Sequence, residues 1–124
     1  MPNALRKLRK MLKKVSFIYK GRRFHITARK CGMFSRFLGL MFSPREKSET
    51  LLFEFQKPVN LSIHSFFVFF PFIAVWVDEN GKIAEIKKVK PFTLSVRTKK
   101  SWKKLLEIPV NKKNYEKVKL LVGD

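Results

Sequence analysis

Short segments that alternate apolar and polar residues, separated by turn signals, follow one another along most of this 124-residue chain. Many short strands at intervals of about 8–12 residues are typical of a sandwich or a small barrel. The length fits a single domain, and a hydrophobic content of 45%, with 13 Phe, is enough to build a core. We therefore expect a mainly β (α+β) fold, a small barrel or sandwich-like sheet with short helices.

Eight segments have the composition and the alternation of strands. The first two would form a hairpin around the Lys-Gly-Arg sequence at 20–22. Pro71 cannot donate a ladder hydrogen bond and would mark a corner between the fourth and fifth. The Asp-Glu-Asn-Gly sequence at 78–81 is a strong turn signal before the sixth. The predicted strands are residues 15–19, 24–28, 50–55, 61–70, 73–78, 82–89, 92–97 and 104–110.

The beginning of the chain has a helical pattern. Residues 3–15 place four apolar side chains on one stripe and cover the rest of the surface with cations, and Asn3 can act as the N-cap. We divide the chain into an appended basic amphipathic helix, residues 1–14, and a single β-rich domain, residues 15–124. The apolar stripe consists of Leu5, Leu8, Leu12 and Val15.

Two further short helices are predicted. Residues 31–40 carry Met, Phe and Leu at helical steps and reach Gly39, which can terminate a helix. Residues 111–118 would form the other, with Asn111 as its cap. The polar segment 43–49 is expected to be a loop.

Charge is distributed unevenly. The chain has a formal net charge of +19, and its first 45 residues contain 13 Lys and Arg but no Asp or Glu. Because a surface of one sign repels itself, an acid-free segment indicates an anionic partner, nucleic acid or a phosphate-rich surface. The basic helix could instead dock on the domain with its charges in solvent, or lie on an anionic membrane through residues 4–15. The candidate anion-binding residues are Arg6, Lys7, Arg9, Lys10, Lys13, Lys14, Arg22 and Arg23.

Several classes of site are excluded by what the sequence lacks. Cys31 is the only cysteine, so neither an intramolecular disulfide nor a cysteine-rich zinc site can form. The two histidines, His25 and His64, are too few to hold zinc alone. Neither of the two glycine-rich phosphate-binding motifs, G-x-x-x-x-G-K and G-x-G-x-x-G, is present. We therefore expect no cofactor and no metal.

The apolar segments also bear on location. No apolar stretch follows the charged start, so a secretory signal is not expected. The longest apolar run, 66–77, contains Pro71 and is shorter than the roughly 20 residues of a spanning helix. We expect a cytoplasmic protein, with attachment to a membrane surface as the alternative.

A series of motifs occurs in a fixed order along the chain, at residues 36–42, 51–55, 62–71, 75–78, 81–83, 105–109 and 123–124. Their order and spacing resemble a known family, the domain of unknown function 192. The resemblance implies a compact, mostly β fold with a barrel-like sheet and one or two short helices, and it implies no established activity. The central motif contains a histidine, as in the version that is similar to the archaeal-type branch of the family.

One motif departs from the pattern of many relatives. They carry a Trp-Met-Lys-Asn type segment before the proline and an Asp two residues after it. Here residues 64–67 read His-Ser-Phe-Phe, and Ile73 occupies the position of the Asp. A polar site built from those Lys, Asn and Asp groups is therefore largely absent from this chain.

Three residues are candidates for a pocket. Arg36 could hold a carboxylate or phosphate with its planar fork, or it could pair with Glu54 or Glu107 inside the fold. His64 could line a pocket, but a nucleophilic pair with Ser65 is not expected because adjacent strand residues point to opposite faces. Trp76 is the third candidate, as an apolar wall.

The phenylalanine-rich run 66–70 has two interpretations. Aromatic side chains on a basic sheet could stack on bases, whereas a strand that is apolar on both faces usually packs in a core. We favour the core. For function we expect a non-catalytic binding protein with an anionic partner. The alternatives are a small-ligand pocket protein or hydrolase-like enzyme using Arg36 and His64, and a peripheral membrane protein attached through residues 4–15.

Overall fold

The computed structural model describes residues 12–31, 40, 44–65 and 67–123. These residues form six strands in one sheet, two short 3₁₀ segments, Arg45–Lys47 and Lys112–Asn114, and a C-terminal helix, α1, Tyr115–Val122. The order across the sheet is β1-β2-β3-β6-β4-β5. The strands are β1 Leu12–Tyr19, β2 Arg22–Lys30, β3 Leu51–Val59, β4 Phe72–Val77, β5 Ile83–Val89 and β6 Trp102–Pro109.

The predicted hairpin is confirmed. β1 and β2 pair along their whole length, from Leu12 opposite Arg29 to Tyr19 opposite Arg22. Lys20 and Gly21 both have positive φ angles, 50° and 74°, as a two-residue turn matched to the twist of the strands requires.

The strand begins earlier than the sequence predicts. Residues 12–14, assigned to the end of the appended helix, belong to β1. Pairing with β2 supplies their backbone hydrogen bonds, whereas a short helix would be marginal without a docking surface. Residues 1–11 lie outside the described residues, so the helix over that part of the chain stays a prediction.

The sheet curls into a half-barrel, which confirms the mainly β class. Its edge strands approach each other where Ile18 and Lys82 form a parallel bridge. The inner face carries apolar residues from every strand, and Val118 and Leu121 of α1 pack against them. Asn111 accepts a hydrogen bond from the Asn114 backbone N–H at 3.1 Å, which confirms its capping role.

Two predicted strands, 61–70 and 92–97, are loops instead. They pack on the outer face of the sheet and meet in one isolated bridge, Ile63 to Val96. Within the phenylalanine-rich run, Val68 and Phe70 are buried, as the core interpretation predicts, whereas Phe67 and Phe69 are exposed. The predicted strands 50–55, 73–78, 82–89 and 104–110 correspond to β3, β4, β5 and β6. Residues 32–39 of the predicted second helix lie outside the described residues.

Candidate anion-binding surface

The β1–β2 hairpin has one buried face and one exposed face because side chains alternate along each strand. On the buried face the rings of Phe17 and Phe24 stack, with centroids 5.4 Å apart. The opposite face is covered by no other described strand, and its side chains are exposed except for the half-buried Arg29. We call it the outer hairpin face, and it consists of Leu12, Lys14, Ser16, Ile18, Arg23, His25, Thr27 and Arg29.

The outer hairpin face carries cations near both ends and no acidic residue. Residues 12–30 contain seven Lys and Arg and no Asp or Glu, and three of the seven, Lys14, Arg23 and Arg29, lie on this face. Lys14 lies opposite Thr27, so Arg29 is its diagonal neighbour on the other strand, at about 7–8 Å. From Arg23 to Arg29 the strand rises about 20 Å. A nucleic-acid strand carries one charge per roughly 3.4 Å of axis, so the length of the face corresponds to about six consecutive phosphates.

The predicted anion-binding residues divide into three groups. Lys14 and Arg23 lie together on the outer hairpin face, whereas Lys13 and Arg22 alternate to the other side. Arg29 was missed, although its odd spacing from the buried Phe24 places it outward. Arg6, Lys7, Arg9 and Lys10 lie outside the described residues.

Lys13 belongs to a cluster of charges at the rim of the inner face. Its Nζ donates to Glu54 Oε1 at 2.9 Å, and the Nζ atoms of Lys30 and Lys104 each lie 3.7 Å from a Glu54 oxygen. Desolvation acts to raise the pKa of Glu54, but the hydrogen bond from Lys13 and the charges of the lysines outweigh it and lower the pKa. One carboxylate therefore balances part of the charge of three lysines.

Ser16 and His25 form a polar pair at the centre of the outer hairpin face. Ser16 Oγ and His25 Nδ1 are 2.8 Å apart, and both residues are exposed. The two residues are directly opposite in the β1–β2 register. The pair adds hydrogen-bonding groups to the centre of this basic surface. The sequence reasoning did not bring them together.

His64 and Ser65 do not form a catalytic pair. His64 is exposed, whereas Ser65 is fully buried. The Ser65 hydroxyl donates to the Lys90 carbonyl at 2.6 Å and accepts from the Thr93 backbone N–H at 2.6 Å. Because its hydroxyl is used to join two loops, Ser65 is a structural residue.

Trp76 has no access to a solvent-exposed pocket. It is fully buried on the outer face of β4. A neighbouring cavity of about 210 Å³ is lined by residues 78–80 with Pro58, Ala84, Lys100 and Ser101. His64 and Trp76 do not line this cavity, and Arg36 lies outside the described residues.

A buried carboxyl lies in the middle of the sheet. Glu107 of β6 pairs with Leu51 on one side and Ala74 on the other, and burial raises the pKa of its carboxyl to about 8. Cys31 lies close enough for the two to interact electrostatically. Burial raises the pKa of the Cys31 thiol to about 11. Both groups are therefore held mainly in their neutral forms at neutral pH.

Among the residues that the structure describes, no three or more His, Cys, Asp and Glu side chains come together so as to hold a metal ion. The one α-helix among the described residues, α1, has eight residues. No helix in these residues is long and apolar enough to cross a membrane.

Comparison with known proteins identifies the fold and the family but no activity. Residues 28–124 match the family DUF192, described as an uncharacterized ACR. A crystal structure from Sinorhizobium meliloti, described as a "putative transcription regulator", is 17% identical, with 79% of each chain covered and a TM-score of 0.68. A protein of unknown function from Novosphingobium aromaticivorans is 15% identical, with 85% of this chain and 77% of that chain covered and a TM-score of 0.67. No curated protein matches.

Proposed function

The chain belongs to the family called domain of unknown function 192, and we propose that this member is a non-catalytic protein that binds nucleic acid through its outer hairpin face. The observation that carries the proposal is the position of Lys14, Arg23 and Arg29 on one acid-free face of two paired strands, where Lys14 and Arg23 are exposed and Arg29 is half-buried. A paired scaffold holds these cations at fixed spacing, so less freedom is lost when they contact phosphates.

The chemistry of the surface suits phosphate contacts more than base reading. Arg and Lys together with Ser and Thr hydroxyls are the groups that usually contact phosphate and sugar. A two-stranded ribbon also has the width that a DNA major groove admits. We therefore expect binding that depends strongly on salt and only weakly on sequence.

The alternative of a hydrolase-like enzyme using Arg36 and His64 has less support. The hydroxyl next to His64 is buried and hydrogen-bonded to two backbone groups. Binding by Arg6, Lys7, Arg9 and Lys10 stays a prediction. The assignment of the chain to the archaeal-type branch of the family also stays a prediction.

The test is fluorescence anisotropy with a labelled single-stranded RNA and a DNA duplex over a series of salt concentrations. The variant is the triple change Lys14→Gln, Arg23→Gln and Arg29→Gln. Removing three phosphate contacts should reduce the slope of log K against log salt by about 2–3. The affinity at low salt should fall by more than tenfold.

A control with the same loss of charge separates a local site from net charge. Lys112, Lys113 and Lys117 lie at the C-terminal end of the chain, and their triple change to Gln also removes three positive charges. We expect the control to bind within about threefold of the wild type. Equal losses in the two triple variants, or binding insensitive to salt, would refute the proposed site.

A further inference from the structure

The two loops on the outer face of the sheet present large apolar side chains to solvent. Phe67 is 47% exposed, Phe69 59%, Phe92 54% and Leu94 70%. The rings of Phe69 and Phe92 meet edge to face, with centroids 5.4 Å apart, so the two loops form one surface. We call these four residues the loop patch. Its exposed area is on the order of 400 Å², a size at which surface patches are often functional.

Hydrogen bonds of Ser65 join the two loops. Its backbone N–H donates to the Thr93 carbonyl at 2.9 Å, and its carbonyl accepts from the N–H groups of Phe92 and Val68 at 2.9 and 3.2 Å. Its hydroxyl joins Lys90 and Thr93. Many backbone polar groups near the patch are thus satisfied within the protein, which a loop needs before it can enter a medium poor in water.

Two residues of the patch have a strained backbone. Phe67 and Phe92 have φ angles of 57° and 60°, in the left-handed region that a bulky residue rarely adopts. Their exposure shows that burial in the core does not compensate for this conformation. Strain of this kind is concentrated at functional sites, and here it belongs to two of the exposed aromatic residues.

The charges around the patch complement an anionic surface. Residues 60–77 contain no acidic residue, and neither do residues 86–106. Lys90 and Arg97, on either side of Phe92 and Leu94 in the chain, are both exposed. The Arg97 carbonyl accepts a hydrogen bond from Lys87 Nζ at 2.9 Å, which fixes the backbone at this end of the loop.

We propose that the loop patch enters the interfacial region of an anionic bilayer while Lys90 and Arg97 contact the lipid headgroups. Leu94, the most exposed residue of the patch, has no aromatic ring that could stack on a base. Its exposure therefore favours a bilayer over nucleic acid as the partner. Apolar residues flanked by Lys and Arg are the usual composition of an interfacial anchor. This surface differs from residues 4–15, through which the sequence predicts membrane attachment.

Partition into vesicles tests the proposal. The lipids are phosphatidylcholine alone and phosphatidylcholine mixed with phosphatidylserine, and the variants are Phe69→Ser and Leu94→Ser. Each variant should lower the partition coefficient on the mixed vesicles about tenfold or more. Leu120→Ser is the matched control, because Leu120 is 51% exposed on α1, and it should stay within about twofold.

A second pair of variants tests the contribution of the cations to membrane binding. Arg97→Gln should weaken partition about fivefold, whereas Lys113→Gln should have a smaller effect. Vesicles without phosphatidylserine should bind at least about tenfold more weakly than the mixed vesicles. Circular dichroism and thermal unfolding of every variant should match the wild type, since all the changed side chains are exposed.

Insertion itself is measured with a dye that reports polarity, attached to Leu94→Cys. Cys31 is buried, whereas position 94 is exposed, so the dye reacts preferentially with the introduced cysteine. We expect a blue shift on mixed vesicles for Leu94→Cys and none for Leu120→Cys. The shift should persist at saturating lipid in the outer-hairpin triple variant, which separates this inference from the proposed function.

Four outcomes would overturn the inference. One is a vesicle affinity that Phe69→Ser and Leu94→Ser leave unchanged, and another is a blue shift of equal size at positions 94 and 120. The third is a loss of oligonucleotide binding in the patch variants with normal vesicle binding, which would indicate base stacking. The fourth is self-association of the wild type that Leu94→Ser abolishes in sedimentation equilibrium, which would indicate an interface between two copies of the chain.

Discussion

Replacing Glu107 by glutamine is expected to stabilise the protein near neutral pH and to remove a large part of its pH dependence. Glu107 is buried in the middle of the sheet, and burial raises the pKa of its carboxyl from 4.5 to about 8. The folded protein therefore binds a proton that the unfolded chain releases above pH 4.5. Because the folded state holds more protons, the free energy of unfolding falls as the pH rises between these two values.

The magnitude follows from the two pKa values. At roughly 1.36 kcal/mol per pH unit, keeping Glu107 protonated at pH 7 costs about 3 kcal/mol relative to pH 4. Glutamine has nearly the same shape and carries no charge at any pH. At pH 7 the Glu107→Gln variant should therefore exceed the wild type by up to about 3 kcal/mol, and near pH 4 the two should be nearly equal.

The assay is urea denaturation of the wild type and the variant between pH 4 and pH 9. The difference between the two proteins isolates Glu107, because the other titrating groups cancel. Glu116→Gln is the control, since Glu116 is exposed on α1 and should give a small difference at every pH. A loss of about 3 kcal/mol for Glu107→Gln at pH 7 would refute the reasoning, since it would indicate an ionised carboxylate whose buried ion pair had been broken.

Three further predictions follow from single contacts. Asn111→Ala should lower the free energy of unfolding in urea by about 2–4 kcal/mol, because Asn111 Nδ2 also donates to the Arg45 and Ser48 carbonyls at 2.9 and 3.1 Å; an unchanged midpoint would contradict this. Lys20→Asn should raise the thermal midpoint, since asparagine tolerates positive φ at the first turn position and gains about 0.5–1 kcal/mol, and a lower midpoint would argue against that turn geometry. Glu54→Gln should lower the free energy of unfolding in urea by about 1 kcal/mol at pH 7, because its three lysine neighbours lose their counter-charge. The lowered pKa of Glu54 means that its stabilising effect is present above the unfolded pKa and lost as the pH falls through the folded value, so the cost should vanish in acid.

Local signals predicted the elements whose boundaries depend on neighbouring residues. The Lys20-Gly21 turn between alternating segments predicted the hairpin, and Asn111 predicted the start of the C-terminal helical segment. In both cases the groups that decide the structure lie within a few residues of each other. The mainly β class followed from the same alternation.

The loops 61–70 and 92–97 could not be predicted in this way. Their apolar composition is that of buried strands, and periodicity alone does not distinguish the two cases. What decides is the set of hydrogen bonds from Ser65 to Lys90 and Thr93, which lie 25 and 28 residues away. Such contacts depend on how the sheet brings the two loops together, and a sequence window does not contain that information.

The anion-binding surface was predicted in part for a related reason. A count of Lys and Arg identifies a basic segment, but it does not say which cations remain free after folding. Lys13 is bound to Glu54, 41 residues away, whereas Arg29 is presented on the same face as Lys14 because of its register with β1. Side-chain alternation predicts the face of each residue, and tertiary structure decides its partner.

The two proposed surfaces differ in their relation to the family. The family match begins at residue 28, so most of the outer hairpin face precedes the matched residues, whereas both loops of the patch lie within them. The hairpin joins the matched sheet through two residue pairs of β2 and β3 and through the Ile18–Lys82 bridge, and its inner side chains belong to the core of the half-barrel. The side chains of the outer hairpin face point away from that core, so charge changes there should alter nucleic-acid binding without disturbing the half-barrel. A role of the loop patch, in contrast, would depend on a part of the fold that the family shares.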